Sequence, residues 1–301
     1  MKRKVIQLAK KTSVLSLPST WISKFNIQKG DELDIEEIAN DLIIKTNKDQ
    51  KEKTITLDSE GINERTLKWL MSGLHKYGYD EITVLYKDQK VIEVMHDLIK
   101  NLFMGFAIVE QTEKRIVLRT ISKDIDHEFD NVLRRAFLVT LSLANGTLEH
   151  LEKGNHKELI KLKDLEKINN QLTNFCERSI NKKGYFKNSS FYYVINWNLE
   201  KIADEYKDII DYIESIGGYT PSNDIISIFK DVNAIVDGYY HLFYKFDVKT
   251  LNDLSLKREE VLKKIKILKT SKENQIIIMH LATIANKCAD FSTSTFILNI
   301  N

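Results

Sequence analysis

An apolar stripe is the feature that most constrains this chain. Ile195, Leu199, Ile202, Tyr206, Ile209, Ile213 and Ile216 recur at spacings of three and four over seven positions. That spacing marks one buried face of a helix. Phe129, Val132, Ala136, Thr140, Leu143, Thr147 and Leu151 mark an earlier helix, and Leu165, Ile168, Leu172, Phe175 and Ser179 a second. The run Gly217-Gly218-Tyr219-Thr220-Pro221 breaks the pattern, with Thr220 placed to cap the next helix and Pro221 to open it. Three further helices are expected near 222–247, 251–270 and 274–297. The stripe of the third helix returns 82 residues later as Ile277, Leu281, Ile284, Cys288 and Phe291. Within it, Leu-Glu-Lys-Ile-Ala-Asp (199–204) matches Leu-Ala-Thr-Ile-Ala-Asn (281–286). Residues 124–301 therefore read as an all-α region of two three-helix repeats, about 124–217 and 221–301. The chain has only two prolines, Pro18 and Pro221, as long uninterrupted helices require.

The first part of the chain reads differently. Residues 1–48 are short strands: Lys4–Leu8, Ser13–Leu17 closed by Pro18, and a hairpin of Glu32–Ile35 with Asp41–Lys45. Ser19 or Thr20 can cap a short helix that runs to Phe25. So few apolar residues cannot enclose a core alone, so pairing with a second copy is expected. The polar run Asn47–Lys53 is a linker. Residues 52–122 then read β-α-β-α-β-β, a small two-layer α/β domain. The fold class is multidomain α+β.

Charge is uneven along the chain. The whole sequence sums to +2, yet residues 1–30 hold seven basic side chains (Lys2, Arg3, Lys4, Lys10, Lys11, Lys24, Lys29) and no acid. The remainder sums to 38 minus 43, or −5. An anion-binding head on a mildly acidic body is the natural reading. Cys176 and Cys288 are the only cysteines, which excludes a disulfide framework and four-cysteine zinc modules. Both sit on or beside helical stripes and read as core residues. The longest uncharged stretches, such as Ala136–Leu148, run 13 residues, short of the roughly 18 that a membrane span needs. No apolar segment follows the basic opening, so a cytoplasmic address and no membrane insertion are expected. Neither a phosphate-binding glycine loop nor a metalloprotease pair is present, since His127-Glu128 is followed by Asn131. An enzyme is not expected.

The head carries a recognisable order of residues. Arg3-Lys-Val-Ile-Gln-Leu is followed by Ser13-Val-Leu-Ser-Leu-Pro-Ser-Thr-Trp21, then Phe25-Asn-Ile-Gln-Lys-Gly-Asp-Glu-Leu33, then Leu42-Ile-Ile-Lys-Thr46. This resembles an AbrB-type (SpoVT/AbrB-like) swapped-hairpin domain over residues 2–48. The resemblance implies an obligate homodimer of interlocked hairpins that binds double-stranded DNA, with Arg3, Lys4, Lys10 and Lys11 matching the family's basic strand and loop. Lys24 on the short helix is added from its charge. Two departures stand out: the first loop, Ala9–Ser13, lacks glycine, and the short-helix arginines of many bacterial members fall on Ile22 and Ser23.

The third helix also carries Glu200, Asp204, Asp208 and Asp211 beside its apolar stripe. Stacked like charges are destabilising unless neutralised, and Lys201, Lys207 or a hard cation could do this. Leu199-Glu-Lys-Ile-Ala-Asp204 resembles the PhoU signature, and the resemblance extends over about 124–296, including Phe129–Arg135 and Leu172–Glu177. It implies a regulator of phosphate uptake of the archaeal kind that joins an AbrB-like head to PhoU-like helices. It also implies a transporter or signalling protein as partner and a divalent or ferric ion held by Glu200 and Asp204. The second repeat departs from the motif, with Ala282 and Asn286 at the matching places. The combined expectation is a DNA-binding transcriptional regulator of phosphate homeostasis. The alternative is a protein–protein regulator of a phosphate transporter or kinase whose head only dimerises.

Overall fold

The computed structural model describes residues 2–8, 11–38, 40–46, 52–121, 128–182 and 188–300. Lys10 and His127 lie outside these residues, as do parts of the segments that join the three expected regions. The chain separates into two units, Met1–Glu52 and Lys53–Asn301.

The first unit is two hairpins and a short helix. β1 (Val5–Leu8) pairs antiparallel with β2 (Thr12–Leu15), Val5 opposite Leu15 and Leu8 opposite Thr12. β3 (Asp34–Ile38) pairs antiparallel with β4 (Asp41–Lys45), Asp34 opposite Lys45. The hairpins form two separate two-stranded sheets. Between them lies α1 (Ser19–Lys24). Neither Ser19 nor Thr20 caps it: both are inside the helix, and Pro18 stands at the cap. A proline has no N–H to leave unpaired, and its carbonyl accepts the amides of Trp21 and Ile22, each at 3.0 Å. No described residue of this unit is buried.

The second unit begins with a two-layer α/β part in the order β5 (Thr54–Asp58), α2 (Glu64–Tyr77), β6 (Glu81–Leu85), α3 (Lys90–Asn101), β7 (Phe106–Gln111), β8 (Arg115–Thr120). The sheet order is β5-β6-β8-β7. β5 and β6 run parallel, as a helical crossover demands, and β8 is antiparallel to both its neighbours. Strand alternation sends Ile82, Val84, Ile116 and Leu118 to one face, against Leu67 and Met71 of α2 and Val94, Met95 and Leu98 of α3. Asn63 caps α2 by accepting the Thr66 amide at 2.9 Å.

The rest is helical: α4 (Phe129–Glu152), α5 (His156–Lys161), α6 (Lys163–Lys182), α7 (Ser189–Ser215), α8 (Asn223–Tyr244), α9 (Val248–Ile267) and α10 (Lys272–Asn299). The region thus has seven helices among the described residues rather than six, because the short α5 turns the chain between α4 and α6. α7 packs along α10, so the two matching stripes bury each other: Ile195, Leu199, Ile202, Tyr206 and Ile209 share one core with Ile277, Leu281, Ile284, Cys288 and Phe291. Tyr206 donates to Asn233 Oδ1 at 2.7 Å, and Asn233 Nδ2 donates to the Ala144 carbonyl at 2.8 Å, which ties α7, α8 and α4 together. Both cysteines are buried, and burial pushes both thiols up. Two expectations are corrected. Ser222, not Thr220, caps α8, with its hydroxyl facing the Ile225 amide, and Pro221 precedes the helix. Ile216 lies beyond the end of α7 and is exposed. Among the described residues no helix is long and apolar enough to cross a membrane.

Candidate functional site

In the first unit several cations flank the first hairpin, and the second hairpin carries most of the acids. Arg3, Lys4 and Lys11 flank β1 and β2, and all are exposed. Lys24 ends α1, its ammonium 5.2 Å from the centre of the Phe25 ring. None of these four pairs with a carboxylate among the described residues. β3 carries Asp34, Glu36 and Glu37, and Glu36 pairs across the hairpin with Lys45. Basic residues of the first 30 thus stand beside the first hairpin and at the end of α1, and the acids of β3 follow in sequence. The same unit exposes its apolar strand residues. Val5 is 68% exposed, Ile35 66% and Leu42 67%, and Ile6, Leu8 and Leu15 are also exposed. Monomeric surfaces rarely gather so many in so small a unit.

The acid row of α7 is zipped by lysines. Lys201 Nζ lies 3.3 Å from Glu200 and 2.9 Å from Asp204. Lys207 lies 3.0 Å from Asp208 and 3.7 Å from Asp211, and Lys163 reaches Asp211 at 2.8 Å and Glu214 at 2.7 Å. Both Lys201 and Lys207 feel burial, which lowers their pKa, but the neighbouring carboxylates outweigh it and hold both ammonium groups above the ordinary lysine range. A fourth lysine comes from outside the bundle: Lys76 of α2 stands 3.7 Å from Glu200 and 2.9 Å from Glu177 of α6. The Trp197 ring sits beside both ammonium groups, 4.9 Å from Lys201 and 5.7 Å from Lys76. A hard cation takes six or more oxygen ligands. Among the described residues no three His, Cys, Asp or Glu side chains converge to supply a metal site, and Glu200 and Asp204 already face an ammonium. The residues present do not fit a metal ion there.

Lys76 belongs to a larger polar seam between the α/β part and the bundle, which the sequence did not disclose. α6 turns one face, Gln171, Asn174, Arg178 and Asn181, onto the C-terminal ends of α2 and α3. Gln171 donates to the Lys100 carbonyl and Asn174 to that of Leu102 at 3.5 Å, both at the end of α3. Asn181 donates to the Lys76 carbonyl at 2.8 Å. Arg178 donates to the carbonyls of His75 at 3.0 Å and Tyr79 at 2.6 Å and to Asp80 Oδ1 at 2.8 Å, with its guanidinium 4.9 Å over Phe106. The last carbonyls of a helix lack intrahelical partners, so α6 adds donors from another layer to those of the local C-caps. Gly78 makes this possible. At φ +97°, a left-handed conformation that a side chain would strain, it closes α2 with the paired amide bonds Gly78 to His75 and Tyr79 to Leu74.

The titratable groups of the seam are shifted in opposite senses. Burial raises the Asp80 carboxyl, but Lys182 at 2.9 Å, the Lys53 amide and Arg178 outweigh it and hold it below the usual range. Burial raises the fully buried Glu177 carboxyl, and Lys76 offsets this only in part. His75 is completely buried, stacked flat on Phe103 at 4.4 Å, with neither ring nitrogen hydrogen-bonded. Burial, then the charges of Arg178 and Lys76, drive its pKa well below the ordinary value, so the ring is neutral. The only hint of this seam in the sequence is a stripe of amide and guanidinium side chains at helical spacing, 171, 174, 178 and 181, and such a stripe is indistinguishable from a solvated face.

No family model matches the chain, and neither a curated protein nor a solved structure matches it.

Proposed function

We propose that the chain is a DNA-binding transcriptional regulator that pairs through its first unit, with an AbrB-like head and a PhoU-like body that links it to phosphate uptake. The observation that carries this reading is the uncovered apolar surface of the head. A lone two-stranded hairpin is at best marginally stable in water, and here two of them lie without a buried residue. Covering an exposed valine, leucine or isoleucine is worth roughly 1.5–3 kcal/mol. A second copy, interlocking its hairpins with the first, would cover Val5, Ile6, Leu8, Leu15, Ile35 and Leu42 at once. That pairing would set two copies of Arg3, Lys4, Lys10, Lys11 and Lys24 around one two-fold axis, where they can meet the phosphates on both sides of a groove. The likeness of the body to PhoU is supported by the packing of the two matching stripes of α7 and α10.

Retardation of duplex DNA over a range of salt concentrations tests the proposal. Clamping of several phosphates gives a steep fall in affinity with salt, roughly 0.9 in the log–log slope for each phosphate neutralised. Arg3→Ala, Lys10→Ala and Lys11→Ala together should weaken binding and flatten that slope. Absence of retardation at low salt, or binding untouched by the triple substitution, rules the reading out. A chain that sediments as a dimer but retards no DNA would be a regulator of a protein partner, such as a transporter or kinase, with the head as dimeriser only.

A further inference from the structure

The place on α7 where the PhoU likeness implies a metal ion is filled from within the chain, and the same is true one repeat later. In the first repeat, Lys201 bridges Glu200 and Asp204, and Lys76 pairs with Glu177 and stands 3.7 Å from the buried Glu200 Oε2, which has no hydrogen-bond partner among the described residues. In the second repeat the matching positions are Ala282 and Asn286. There Arg258 of α9 donates to Asn286 Oδ1. Next to these positions, His280 of α10 faces Glu205 of α7 at 2.6 Å. Each repeat thus brings a basic side chain to the equivalent point of its long helix, and in the first repeat one of the two comes from the α/β part.

We infer that Lys76 and Lys201 are resident cations that occupy the place of a metal ion on α7, so that Glu200 and Asp204 form a closed seam with the α/β part instead of an open ligand site. The physical reason is economy of charge. Stacked carboxylates at i, i+4 repel, and a half-buried carboxylate needs an opposite charge or a hydrogen bond to remain ionised. A free ion would have to displace two ammonium groups that are held in place covalently, one on α7 itself and one on α2, which α6 fixes by capping. The Trp197 ring lies beside both ammonium groups. This gives the α/β part a role that its own sequence does not reveal: its helix end carries the cation that closes the acid row. The inference draws on the proposed PhoU likeness only for the expectation of a metal, and it does not depend on DNA binding by the head.

The test is uptake of Mn2+ by the full-length chain after chelation and dialysis, read from the free-ion electron paramagnetic resonance signal with protein and ion equimolar. The wild type should leave that signal unchanged. Lys76→Met/Lys201→Met should remove ion from solution, and adding Glu200→Ala/Asp204→Ala should restore the full signal. Uptake by the wild type that disappears in Glu200→Ala/Asp204→Ala overturns the inference. So does a double methionine variant that keeps its far-ultraviolet circular dichroism and still takes up no ion, because the lysines would then occupy no metal's place. Should the double variant not fold, Lys201→Gln, which keeps the stem and a donor but drops the charge, serves the same comparison. DNA retardation measured on the same samples separates the two proposals, since loss of DNA binding leaves the manganese result standing.

Discussion

The head and the seam reverse the ordinary rule of burial in opposite directions. In the head, valine, leucine and isoleucine side chains face water while no described residue is buried. In the seam, an arginine, an aspartate, a glutamate and a histidine are buried between layers of one unit. Exposed apolar groups gain by meeting a partner. Buried charges are tolerated because their partner is already present and fixed, since an unpaired buried charge is far more costly than an exposed leucine. The contrast separates two kinds of surface in the chain. The head is suited to associate, and the seam is built to stay in one register.

The contrast predicts its largest effect at Arg178. Arg178→Met removes the guanidinium that lies over Phe106, takes from Asp80 its Arg178 partner while leaving Lys182, and withdraws donors from the carbonyls of His75 and Tyr79. Removing one partner of a buried pair costs about 3–5 kcal/mol. Chemical denaturation of the purified chain should show a loss of that size. A loss below about 1 kcal/mol, the value of a surface pair, would mean that the seam is solvated and the comparison is wrong.

The second effect belongs to the head and should appear in association instead of folding. Ile35→Ser removes one of the most exposed apolar side chains. In a lone chain that is nearly neutral. In an interlocked pair it removes roughly 1.5–3 kcal/mol per covered side chain, which weakens the dimer about tenfold to hundredfold for each side chain so replaced. Sedimentation at several concentrations would show the shift, while the thermal transition of the body stays in place. Unchanged association would leave the exposed strands without a partner and break the comparison from its other side.

Much of this was legible in the residues, and the illegible part has a physical cause. The stripe from Ile195 to Ile213 and its echo from Ile277 to Phe291 could be read because a buried helix face imposes its own period, whatever lies opposite. The strand alternation of Ile82 and Val84 could be read for the same reason. α6 could not. Leu165 and Ile168 mark an apolar face there, yet both are only half buried, while Glu166 and Asn169 are buried. The face of α6 is set by what it meets, the open ends of α2 and α3, and those ends call for donors rather than for hydrocarbon. Nothing within a few residues of Lys76 points to Glu177 or Glu200, about 100 and 120 positions on, so the pairing became visible only once the layers were assembled. The acid row was legible as a charge problem, and both solutions considered, lysine or metal, were physically sound. Geometry favours lysine.

The smallest effect sharpens the comparison most, because it isolates one group. His75 is neutral in the folded chain and titrates near 6.5 when unfolded. With the folded value depressed, the unfolded chain binds the extra proton first, so stability falls as pH drops through the unfolded value. The groups that face the ring work in the same direction: Lys76 and Arg178 oppose a second positive charge, and Asp80 is already committed to Arg178 and Lys182. From pH 7.5 to 5.5 this one group should remove about 1.4 kcal/mol. His75→Phe, which keeps the stack on Phe103 and has no nitrogen to leave unpaired, should lose less over the same interval by that amount, the other histidines contributing equally to both chains. Denaturation midpoints at the two pH values supply the difference. If the two curves run parallel, His75 reaches water or a partner in solution, and the seam is not the dry layer that the comparison requires.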